Sequence, residues 1–594
     1  MTAAQPIRPI ARDTLLVLLF WLVACALMTA LSMGSLRELK FPDPDDSMRL
    51  LQVRDWIAGQ SWFDVTQYRL NVPQGVHMHW SRLVDVPIAA VVLLFRPLLG
   101  QPSAESVALV TVPLLTLGIV MLLVHRIAIQ MLTGRAALVA VAVTPVSLGA
   151  LKQLRPMRID HHGWQIVLAL TAVLAAMDER QRRSGAIAGI AMALWLNISI
   201  EGLPFAAAVG ALFALRWLVS PSEAERLKAY MAALAGGSIA VFGLTHLPST
   251  WLTQPRDVVT VAHLAAFTVA FAGCAVAVRP TGASFTKRAI ILGVIGVATV
   301  ATMFGVDPHW TQGPWATLDP LVREFWYNRI DEGLPVWRVD RSQAAVGLAQ
   351  PIVGLIGAIL GLHRSASPQK KCWTTYLILL AGCTLAGICV LRSLTTASII
   401  ALPGTALLCQ LAYRRAQKLS LMPVRATATA GALCIMTPAY ALPLTASSSN
   451  QRVDTALTQA EHCTRRTEVE KLRALPTSEI AAPLEITPAI LISTSHRAIA
   501  SGHHRNIVGM RDVMRMFMMK PAVGAKISAA RHIDYVVMCL GAPESIRYAN
   551  RGPGGLSFLL RAGAPPEWLE PVQVPGLRAL KVWRVRKDLL AAGA

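Results

Sequence analysis

The sequence predicts a polytopic α-helical membrane protein that carries a soluble α/β domain at its C-terminal end. Of its 594 residues, 54% are hydrophobic and only 15% are charged, a balance far too apolar for an ordinary soluble enzyme. Uncharged runs long enough to span a bilayer recur up to about residue 444. Beyond that point helical patterns alternate with short β-rich runs, which indicates a folded domain outside the membrane.

Positively charged loops set the orientation of the spans. The formal net charge is +22, but no basic stretch carries the interleaved aromatic residues typical of nucleic-acid binding, so we expect no nucleic-acid partner. Lys and Arg concentrated in short loops instead follow the positive-inside rule. These loops are marked by Arg126 and Arg135, by Arg180, Arg182 and Arg183, by Arg226 and Lys228, by Arg279, Lys287 and Arg288, by Arg364, Lys370 and Lys371, and by Arg414, Arg415 and Lys418.

The first span and one surface helix complete the topology. The first apolar run follows Arg8 and Arg12 and lacks a small-residue cleavage site, so we expect an uncleaved span with a cytoplasmic start. Segment 84–99 would put the loop at Arg126 outside if it crossed, and is therefore expected to lie on the outer surface. The result is about thirteen transmembrane helices and an outside C-terminus. The spans run approximately over residues 13–35, 106–125, 136–151, 164–177, 186–201, 202–218, 229–246, 258–278, 289–306, 346–363, 372–391, 393–413 and 426–444.

The chain is thereby divided into two predicted domains. Residues 1–445 form the transmembrane domain, with outer loops at 36–105 and 307–345, and residues 446–594 form the outside α/β domain. A Ser-rich linker occupies residues 446–450. The β-rich runs of the second domain are residues 489–492, 535–538 and 580–583.

Cysteine placement agrees with this division. Seven of the nine cysteines fall within predicted spans. The other two, Cys463 and Cys539, belong to the outside domain. We expect a disulfide between them in an oxidising compartment, with two free buried thiols as the alternative.

Two motifs at the outer ends of helices are candidates for a divalent metal site. The run Asp-Pro-Asp-Asp at residues 43–46 follows the first span, and Asp160-His161-His162 stands at the outer mouth of a later span. Carboxylates at a membrane surface are costly unless they bind something, and Asp160 and His162 are spaced so that both can reach one cation. The alternatives are an ordinary helix N-cap for the first motif and an interfacial belt anchored by Trp164 for the second.

Further candidates lie on the same predicted face. The long aromatic-rich outer loop holds Glu332, for which the alternative is a solvated surface charge. Arg392 ends a span, where it suits a phosphate, with snorkelling to the interface as the alternative. Glu201 stands at another outer helix end. The C-terminal domain contains His503-His504-Arg505, which either contacts the acceptor or belongs to a plain surface loop.

Taken in order, these motifs resemble those of the catalytic subunits of oligosaccharyltransferases, which are membrane glycosyltransferases of the GT-C class. The shared order is an Asp-Pro-Asp in the first outer loop, an amphipathic surface helix, two spans, an Asp-x-His at the start of the next helix, and a long fifth outer loop with an Ile-x-Glu element, here Ile330-Asp331-Glu332. The resemblance covers order and spacing over about the first 445 residues, and the thirteen spans agree with it.

The resemblance implies a site and a reaction. Asp45 would bind the metal and engage the nucleophile, Asp160 and His162 would be metal ligands, as in the archaeal members with histidine in the last position, and Glu332 would supply a further carboxylate. Arg392 occupies a place comparable to the arginine that contacts the lipid phosphate in the family. The implied cofactor is Mn²⁺ or Mg²⁺, and Mn²⁺ tolerates the imidazole better.

One departure from the family pattern narrows the range of expected acceptors. The members that glycosylate asparagine carry Trp-Trp-Asp in their C-terminal domain, and no such tripeptide occurs in this sequence. We therefore expect a sugar or oligosaccharide to pass from a polyprenyl phosphate or pyrophosphate to a glycan, lipid or other acceptor. Membrane lipids and the polyprenyl-linked donor are the expected partners.

The expected location is the bacterial inner membrane, with the catalytic face and the C-terminal domain in the periplasm, in surface glycan or glycolipid assembly. The alternatives are a transporter or flippase of lipid-linked glycans, a metal-independent glycan ligase or polymerase, and a non-catalytic assembly factor. A transporter would hold its ionisable residues near the bilayer midplane, whereas here they cluster at outer helix ends.

Overall fold

The computed structural model describes residues 10–132, 135–313, 315–436 and 462–591. Helices dominate up to residue 436, and a five-stranded sheet with helices around it follows from residue 462. The predicted linker at 446–450 and the end of the last predicted span lie outside the described residues, so the boundary between the two domains stays a prediction.

The helices before residue 437 are apolar where they coincide with predicted spans, as the runs of Leu, Val and Ala require. They are α1 (Ile10–Arg37), α2 (Pro44–Ile57), α3 (Arg82–Met131), α4 (Arg135–Val143), α5 (Leu148–Gln153), α6 (His162–Met177), α7 (Gln181–Ile198), α8 (Leu203–Val219), α9 (Ala224–Thr245), α10 (Val261–Ala277), α11 (Phe285–Val306), α12 (Pro320–Phe325), α13 (Arg341–Arg364), α14 (Ser367–Cys389), α15 (Ser393–Ile400), α16 (Leu402–Ala416) and α17 (Met422–Cys434).

The architecture is that of a multi-pass membrane protein. Among the described residues, eight helices are long and apolar enough to cross a membrane, and the pair α15 and α16, bent by 47°, would make a ninth. Two shorter apolar helices, α6 and α10, also coincide with predicted spans. The most apolar stretch of α11 has no buried residue, which suits a helix that faces lipid. The number thirteen stays a prediction.

Helix α3 contains both the predicted surface helix and the span that follows it. It kinks at Gly100, whose φ of 74° and ψ of 166° are not helical. Glycine adopts a positive φ without steric cost because it has no Cβ. The part before Gly100 includes segment 84–99, and the part after it includes the predicted span at 106–125. The kink therefore separates two segments that the sequence analysis expects to have different orientations.

The C-terminal region is built on a mixed sheet in the strand order β4-β3-β5-β7-β6. Strands β3, β4 and β5 are parallel, whereas β7 runs antiparallel to β5 and β6. The strands are β1 (Thr66–Gln67) and β2 (Val76–His77), which pair in the first outer loop, and β3 (Glu479–Ala481), β4 (Arg497–Ala498), β5 (Tyr535–Cys539), β6 (Leu569–Val572) and β7 (Leu580–Val585). The helices are α18 (Arg466–Val469), α19 (Thr487–Ser493), α20 (Ile507–Met518), α21 (Pro521–Ala530), α22 (Pro543–Arg551), α23 (Leu556–Arg561) and α24 (Lys587–Ala591).

One β-rich run is not a strand. Residues 535–538 and 580–583 fall in β5 and β7, but residues 489–492 lie in helix α19, so that prediction was wrong. The reason is topological. Strands β3 and β4 are parallel, and parallel strands need a crossover connection, which α19 provides. Pro488 in its first turn suits a helix start, because its missing N–H would have no partner there.

A disulfide joins the two cysteines of the C-terminal region. Cys463 and Cys539 are bonded, with their Cα atoms 6.0 Å apart and 76 positions between them in sequence. Cys539 ends β5, so the bond ties the beginning of the described C-terminal region to the centre of its sheet.

The C-terminal region packs directly on the first outer loop. The backbone N–H of Ala498 donates to the carbonyl of Arg69 at 2.9 Å, and the N–H of Asn71 donates to the carbonyl of Ala498 at 2.9 Å. The Arg69 guanidinium donates to the carbonyls of Leu491 and Thr494, both at 2.7 Å. These bonds attach the segment up to β4, which residues 501–505 follow, to the first predicted outer loop.

Candidate active site

A cavity of about 870 Å³ lies between the membrane helices at one of their ends, the long loop predicted to be an outer loop and the C-terminal region. Its lining combines aromatic side chains with many ionisable ones. The residues chosen from the sequence that contribute to this lining include Asp45, Glu201, Glu332 and Arg392. His503 and His504 line it as well.

The start of helix α2 positions the first acidic motif. Asp43 is the N-cap, and its carboxylate accepts the backbone N–H of Asp45 at 3.0 Å. The N-cap alternative is therefore correct for Asp43, but Asp45 is not used in capping. Its side chain remains one-third exposed, and its Oδ1 lies 3.2 Å from Nε2 of His503.

Asp46 and Arg158 connect the two acidic motifs beneath the cavity. The buried Asp46 carboxylate accepts the backbone N–H groups of Ile159 and Asp160 at 2.8 and 3.0 Å. Arg158 donates to Asp46 at 2.9 Å and lies 3.1 Å from Asp43 and 2.8 Å from Asp160. One guanidinium thus pairs with three carboxylates, which fixes α2 against the start of α6.

Asp160 and His162 pair with each other. His162 Nδ1 is 2.6 Å from Asp160 Oδ2, and the His162 backbone N–H donates to Asp160 Oδ1 at 3.0 Å. Both residues are buried, and the next imidazole, His161, stacks on His162 with ring centroids 4.3 Å apart. Within this described motif, the residue that lines the cavity is His161.

Glu332 and Arg392 are brought together by the backbone. The segment around Glu332, a 3₁₀ turn at Asp331–Gly333, runs beside the segment that precedes α15. The Arg392 guanidinium lies 2.6 Å from Glu201 and 3.8 Å from Glu332. Because two carboxylates flank it, Arg392 keeps its positive charge while it faces the cavity.

The run at residues 503–505 contacts α2, the loop that follows β2 and the segment before α10. His503 Nδ1 is 2.6 Å from Ser501 Oγ, and the opposite ring nitrogen faces Asp45. His504 Nε2 is 2.5 Å from Asp257 Oδ2, and Arg505 donates to both oxygens of the same carboxylate at 3.0 and 2.9 Å. The surface-loop alternative is therefore wrong, since these residues are enclosed by contacts to other segments.

Charged side chains around the cavity lower the pKa values of two carboxylic acids and so favour their ionised forms. Burial opposes ionisation of Asp45, yet its hydrogen bond to His503 and the charge of His503 lower its pKa below the usual range. Burial likewise opposes ionisation of Asp160, but Arg158 and then His162 hold its pKa well below the ordinary value. Both side chains are therefore negative at neutral pH.

Two groups of side chains in the described part of the chain place three ligand atoms within 4.8 Å of one another. One consists of Asp160, His161 and His162, and the other of His79, Asp257 and His504. Asp45 belongs to neither group. In the first group, His162 Nε2 and His161 Nδ1 are buried and have no hydrogen-bond partner among the described residues.

Several residues of this site carried no signal that singled them out in the sequence. Arg158 and Asp46 stand inside the motifs, but their role as a connection appears only once α2 and α6 meet. His79 and Asp257 are isolated residues in outer loops, and nothing in their neighbours marks them. Helix packing brings them to the cavity, and no local pattern predicts that.

Comparison with solved structures identifies the fold. The archaeal oligosaccharyltransferase AglB from Archaeoglobus fulgidus, in complex with an inhibitory peptide and a dolichol-phosphate, is similar with a TM-score of 0.59 at 13% identity, over 93% of this chain and 72% of that chain. The A. fulgidus oligosaccharyltransferase tethered to an acceptor peptide containing the NVT sequon has a TM-score of 0.55 at 14% identity, over 91% and 71%. Its complex with Zn and sulfate has a TM-score of 0.52 at 14% identity, over 93% and 71%.

Sequence comparison adds no relative: no family model matches the chain, and no curated protein matches it. The structural similarity nevertheless extends over nine-tenths of the chain. The fold is thus oligosaccharyltransferase-like and of the GT-C type, as the resemblance implied.

Proposed function

We propose that this chain is a metal-dependent glycosyltransferase that moves a sugar or oligosaccharide from a polyprenyl phosphate or pyrophosphate to an acceptor at the outer face of a membrane. The observation that supports it best is the shared cavity of Asp45, Glu332 and Arg392 at the outer helix ends. The oligosaccharyltransferase-like fold supports the same class of reaction.

Arg392 is the residue proposed to bind the donor phosphate. Breaking a sugar–phosphate bond leaves negative charge on the phosphate, and a fixed guanidinium stabilises that charge as it develops. Glu201 and Glu332 orient Arg392 by contact with its two terminal nitrogens. The cavity also opens beside aromatic side chains of the outer loop, among them Trp315 and Trp326, which offer flat apolar faces to a sugar ring.

Asp45 is the residue proposed to engage the acceptor nucleophile. Its side chain is negative, is partly exposed to the cavity and does not cap a helix. A carboxylate in this state accepts a hydrogen bond from an acceptor hydroxyl or amide and holds it towards the sugar. His503 keeps the carboxylate in place from the C-terminal side.

The side chains beneath the cavity fit a divalent cation. Asp160, His161 and His162 offer one oxygen and two nitrogens, and the two free imidazole nitrogens are buried without a partner among the described residues. A buried polar atom without a partner is costly, so a bound ion would satisfy it. The mixed oxygen and nitrogen donors favour Mn²⁺ over Mg²⁺.

Asp160, His162 and Asp45 are the proposed metal ligands, with His161 added from the structure. When bound, the ion would supply positive charge next to the phosphate that leaves the sugar. Asp160 would also orient His162, because it accepts the proton of Nδ1 and leaves Nε2 for the ion.

The proposed acceptor is a glycan or a lipid, because Trp-Trp-Asp is absent from the sequence. The proposed location is a bacterial inner membrane with the cavity on the periplasmic side, as the positive-inside pattern predicts. The lipid-linked donor, the acceptor and the orientation in the membrane belong to one proposal, which one experiment tests.

Mass spectrometry of surface glycans and glycolipids tests the proposed function. Cells that lack the protein and cells that carry Asp45→Ala should lose the same product and accumulate its lipid-linked precursor. Asp588→Ala is the matched control, because Asp588 is an exposed carboxylate that pairs with Arg586 on the surface. Glycomes that match the wild type in both the deletion and the Asp45→Ala cells would exclude glycosyl transfer.

Measurements on the same cells and their membranes distinguish the proposed enzyme from the alternative functions. A flippase that loses function leaves its substrate on the cytoplasmic leaflet, and a metal-independent ligase or polymerase keeps its activity in EDTA. A non-catalytic assembly factor tolerates Asp45→Ala. The proposed enzyme instead requires Asp45 and the metal, and its precursor accumulates on the outer leaflet.

A further inference from the structure

Three side chains from distant parts of the chain meet at one edge of the cavity. His79 follows β2 in the first outer loop, Asp257 precedes α10, and His504 begins the 3₁₀ turn His504–Asn506 of the C-terminal region. One ligand atom from each lies within 4.8 Å of the other two. All three residues line the cavity.

The His79 imidazole lacks the partner that a buried ring normally has. Its Nδ1 is buried and has no hydrogen-bond partner among the described residues, and its ring centroid lies 4.6 Å from that of His504. In the tautomer protonated at Nε2, the lone pair of this Nδ1 is available to a cation.

The surrounding residues fix the other two side chains in place. Arg505 donates to both oxygens of Asp257, and its Nη1 donates to the carbonyl of Met78 at 3.2 Å, next to His79 in sequence. The His504 ring packs edge to face against Trp315, with centroids 4.6 Å apart. Metal-binding carboxylates and imidazoles are typically oriented by such contacts.

We propose that His79, Asp257 and His504 bind a divalent cation of the zinc type. Two imidazoles and one carboxylate are a donor set that zinc accepts, with a fourth position left for water or a substrate oxygen. Bonds of about 2.0–2.1 Å place tetrahedral ligand atoms about 3.4 Å apart. An ion would therefore draw in the ligand atoms that lie up to 4.8 Å apart and would separate His504 Nε2 from Asp257 Oδ2, which lie 2.5 Å apart. The open position faces the cavity.

This site differs from the proposed Asp160, His161 and His162 site in its residues and in its consequence. Its ligands come from two outer loops and from the C-terminal region, so a bound ion would join the C-terminal region to the membrane helices. Arg505 neutralises Asp257 without the ion and weakens its attraction for one. The negative charge of Asp45 acts on His79 in the opposite direction to the charge of Arg505, and therefore favours a cation at this place.

Metal content of the intact protein tests the proposal without any glycosyl-transfer assay. The full chain is purified in detergent, stripped with chelator, reloaded with Zn²⁺ alone, passed through gel filtration and analysed for zinc by mass spectrometry. The measurement is made in an Asp160→Asn background, so that the other group contributes less. His79→Gln and His504→Gln are the test variants, and His309→Gln, an exposed histidine of another loop, is the control.

Each test variant should lose one zinc equivalent per chain, and the control should lose none. Equal zinc content in all three variants and the parent would overturn the proposal, as would a parent that retains no zinc after gel filtration. If a variant does not fold, Co²⁺ added to the Asp160→Asn protein decides. Intense visible absorption typical of four-coordinate Co²⁺ supports the site, and only the weak spectrum of hydrated Co²⁺ refutes it.

Discussion

The backbone N–H of Arg392 donates to the carbonyl oxygen of Glu332 at 2.8 Å, while the two side chains face each other 3.8 Å apart. The neighbouring bonds extend this pairing, because Leu391 donates to Leu334 at 3.0 Å and Val336 donates to Ile388 at 3.0 Å. The long outer loop is therefore attached to the segment before α15 along its backbone. A guanidinium and a carboxylate that are far apart in sequence are held at one edge of the cavity by this attachment.

Arg392→Ala should lower the rate of glycosyl transfer by about 10²–10³-fold, which is typical of removing one fixed donor to a developing negative charge. The substitution also leaves Glu201 and Glu332 without their shared cation. Transfer from a lipid-linked donor in isolated membranes measures the effect. Arg392→Lys should recover part of the rate, because lysine keeps the charge but loses the fork of the guanidinium.

Arg341→Ala is the control for Arg392, since Arg341 is an exposed arginine at the start of α13. It should transfer sugar at the wild-type rate. Equal rates for Arg392→Ala and the wild type would contradict a role for Arg392 in phosphate binding.

Removal of divalent cations should abolish transfer. EDTA-treated membranes are expected to lose activity and to regain it with Mn²⁺. In Asp160→Asn the Mn²⁺ concentration for half-maximal activity should rise about 10–100-fold, because the substitution removes the negative charge with which Asp160 would bind the ion and polarise His162. Asp588→Asn should respond to Mn²⁺ as the wild type does. Full activity in EDTA would show that the proposed ion is not required.

The sequence was sufficient for those features that depend on local pattern. Apolar runs predicted the helices, and the N-cap that was the alternative for the first acidic motif is present at Asp43. The order of motifs along the chain led to the GT-C type of fold. Each of these depends on residues close together in sequence, where period, charge and turn chemistry act directly.

The rest depends on contacts between distant segments. The run at residues 489–492 has strand-like composition, yet the parallel pairing of β3 and β4 requires a helix there. Arg158 joins Asp43 and Asp46 only because α2 packs against the start of α6. A single sequence contains no record of such packing, and these parts of the site therefore could not be predicted from it.

The Cys463–Cys539 disulfide should stabilise the C-terminal region. It closes a long loop, with 76 positions between the two cysteines, and the chain-entropy model assigns such a loop roughly 4 kcal/mol of stabilisation. Cys463→Ser should therefore lower the temperature at which the purified protein unfolds, and reductant should lower that of the wild type to the same level. Cys434→Ser, which removes an exposed free cysteine, should change neither value. A wild-type protein that ignores reductant would contradict the prediction.

Glu479 should make stability depend on pH. Burial raises its pKa from 4.5 to about 7, despite the opposing charge of Arg497. The folded protein thus binds this proton more tightly than the unfolded chain, so the favourable contribution is complete below pH 4.5 and is lost as the pH rises towards 7. The unfolding temperature of Glu479→Gln relative to the wild type should accordingly increase between pH 5 and pH 8.

The exposed Glu567 provides the control for this titration. The difference between Glu567→Gln and the wild type should be the same at both pH values. A Glu479→Gln difference that stays constant from pH 5 to pH 8 would rule out a raised pKa at Glu479.

The contact between α13 and α16 should tolerate no side chain at Gly357. A Cβ placed there would lie 2.0 Å from the carbonyl oxygen of Gly404, an atom of the backbone that cannot move away cheaply. Helices in a membrane associate through such close approaches of small residues, because lipid is as apolar as their side chains. Helix α15, which Arg392 precedes, is joined to α16, so a displaced α16 would also disturb Arg392. Gly357→Ala should therefore lower both the unfolding temperature in detergent and the rate of transfer.

Gly293→Ala is the matched control, because a Cβ at Gly293 in α11 would have no atom within 4 Å among the described residues outside its own stretch of helix. Alanine favours a helix over glycine by about 1 kcal/mol, so the control should be as stable as the wild type or more so. An unfolding temperature for Gly357→Ala equal to that of Gly293→Ala would contradict the close contact.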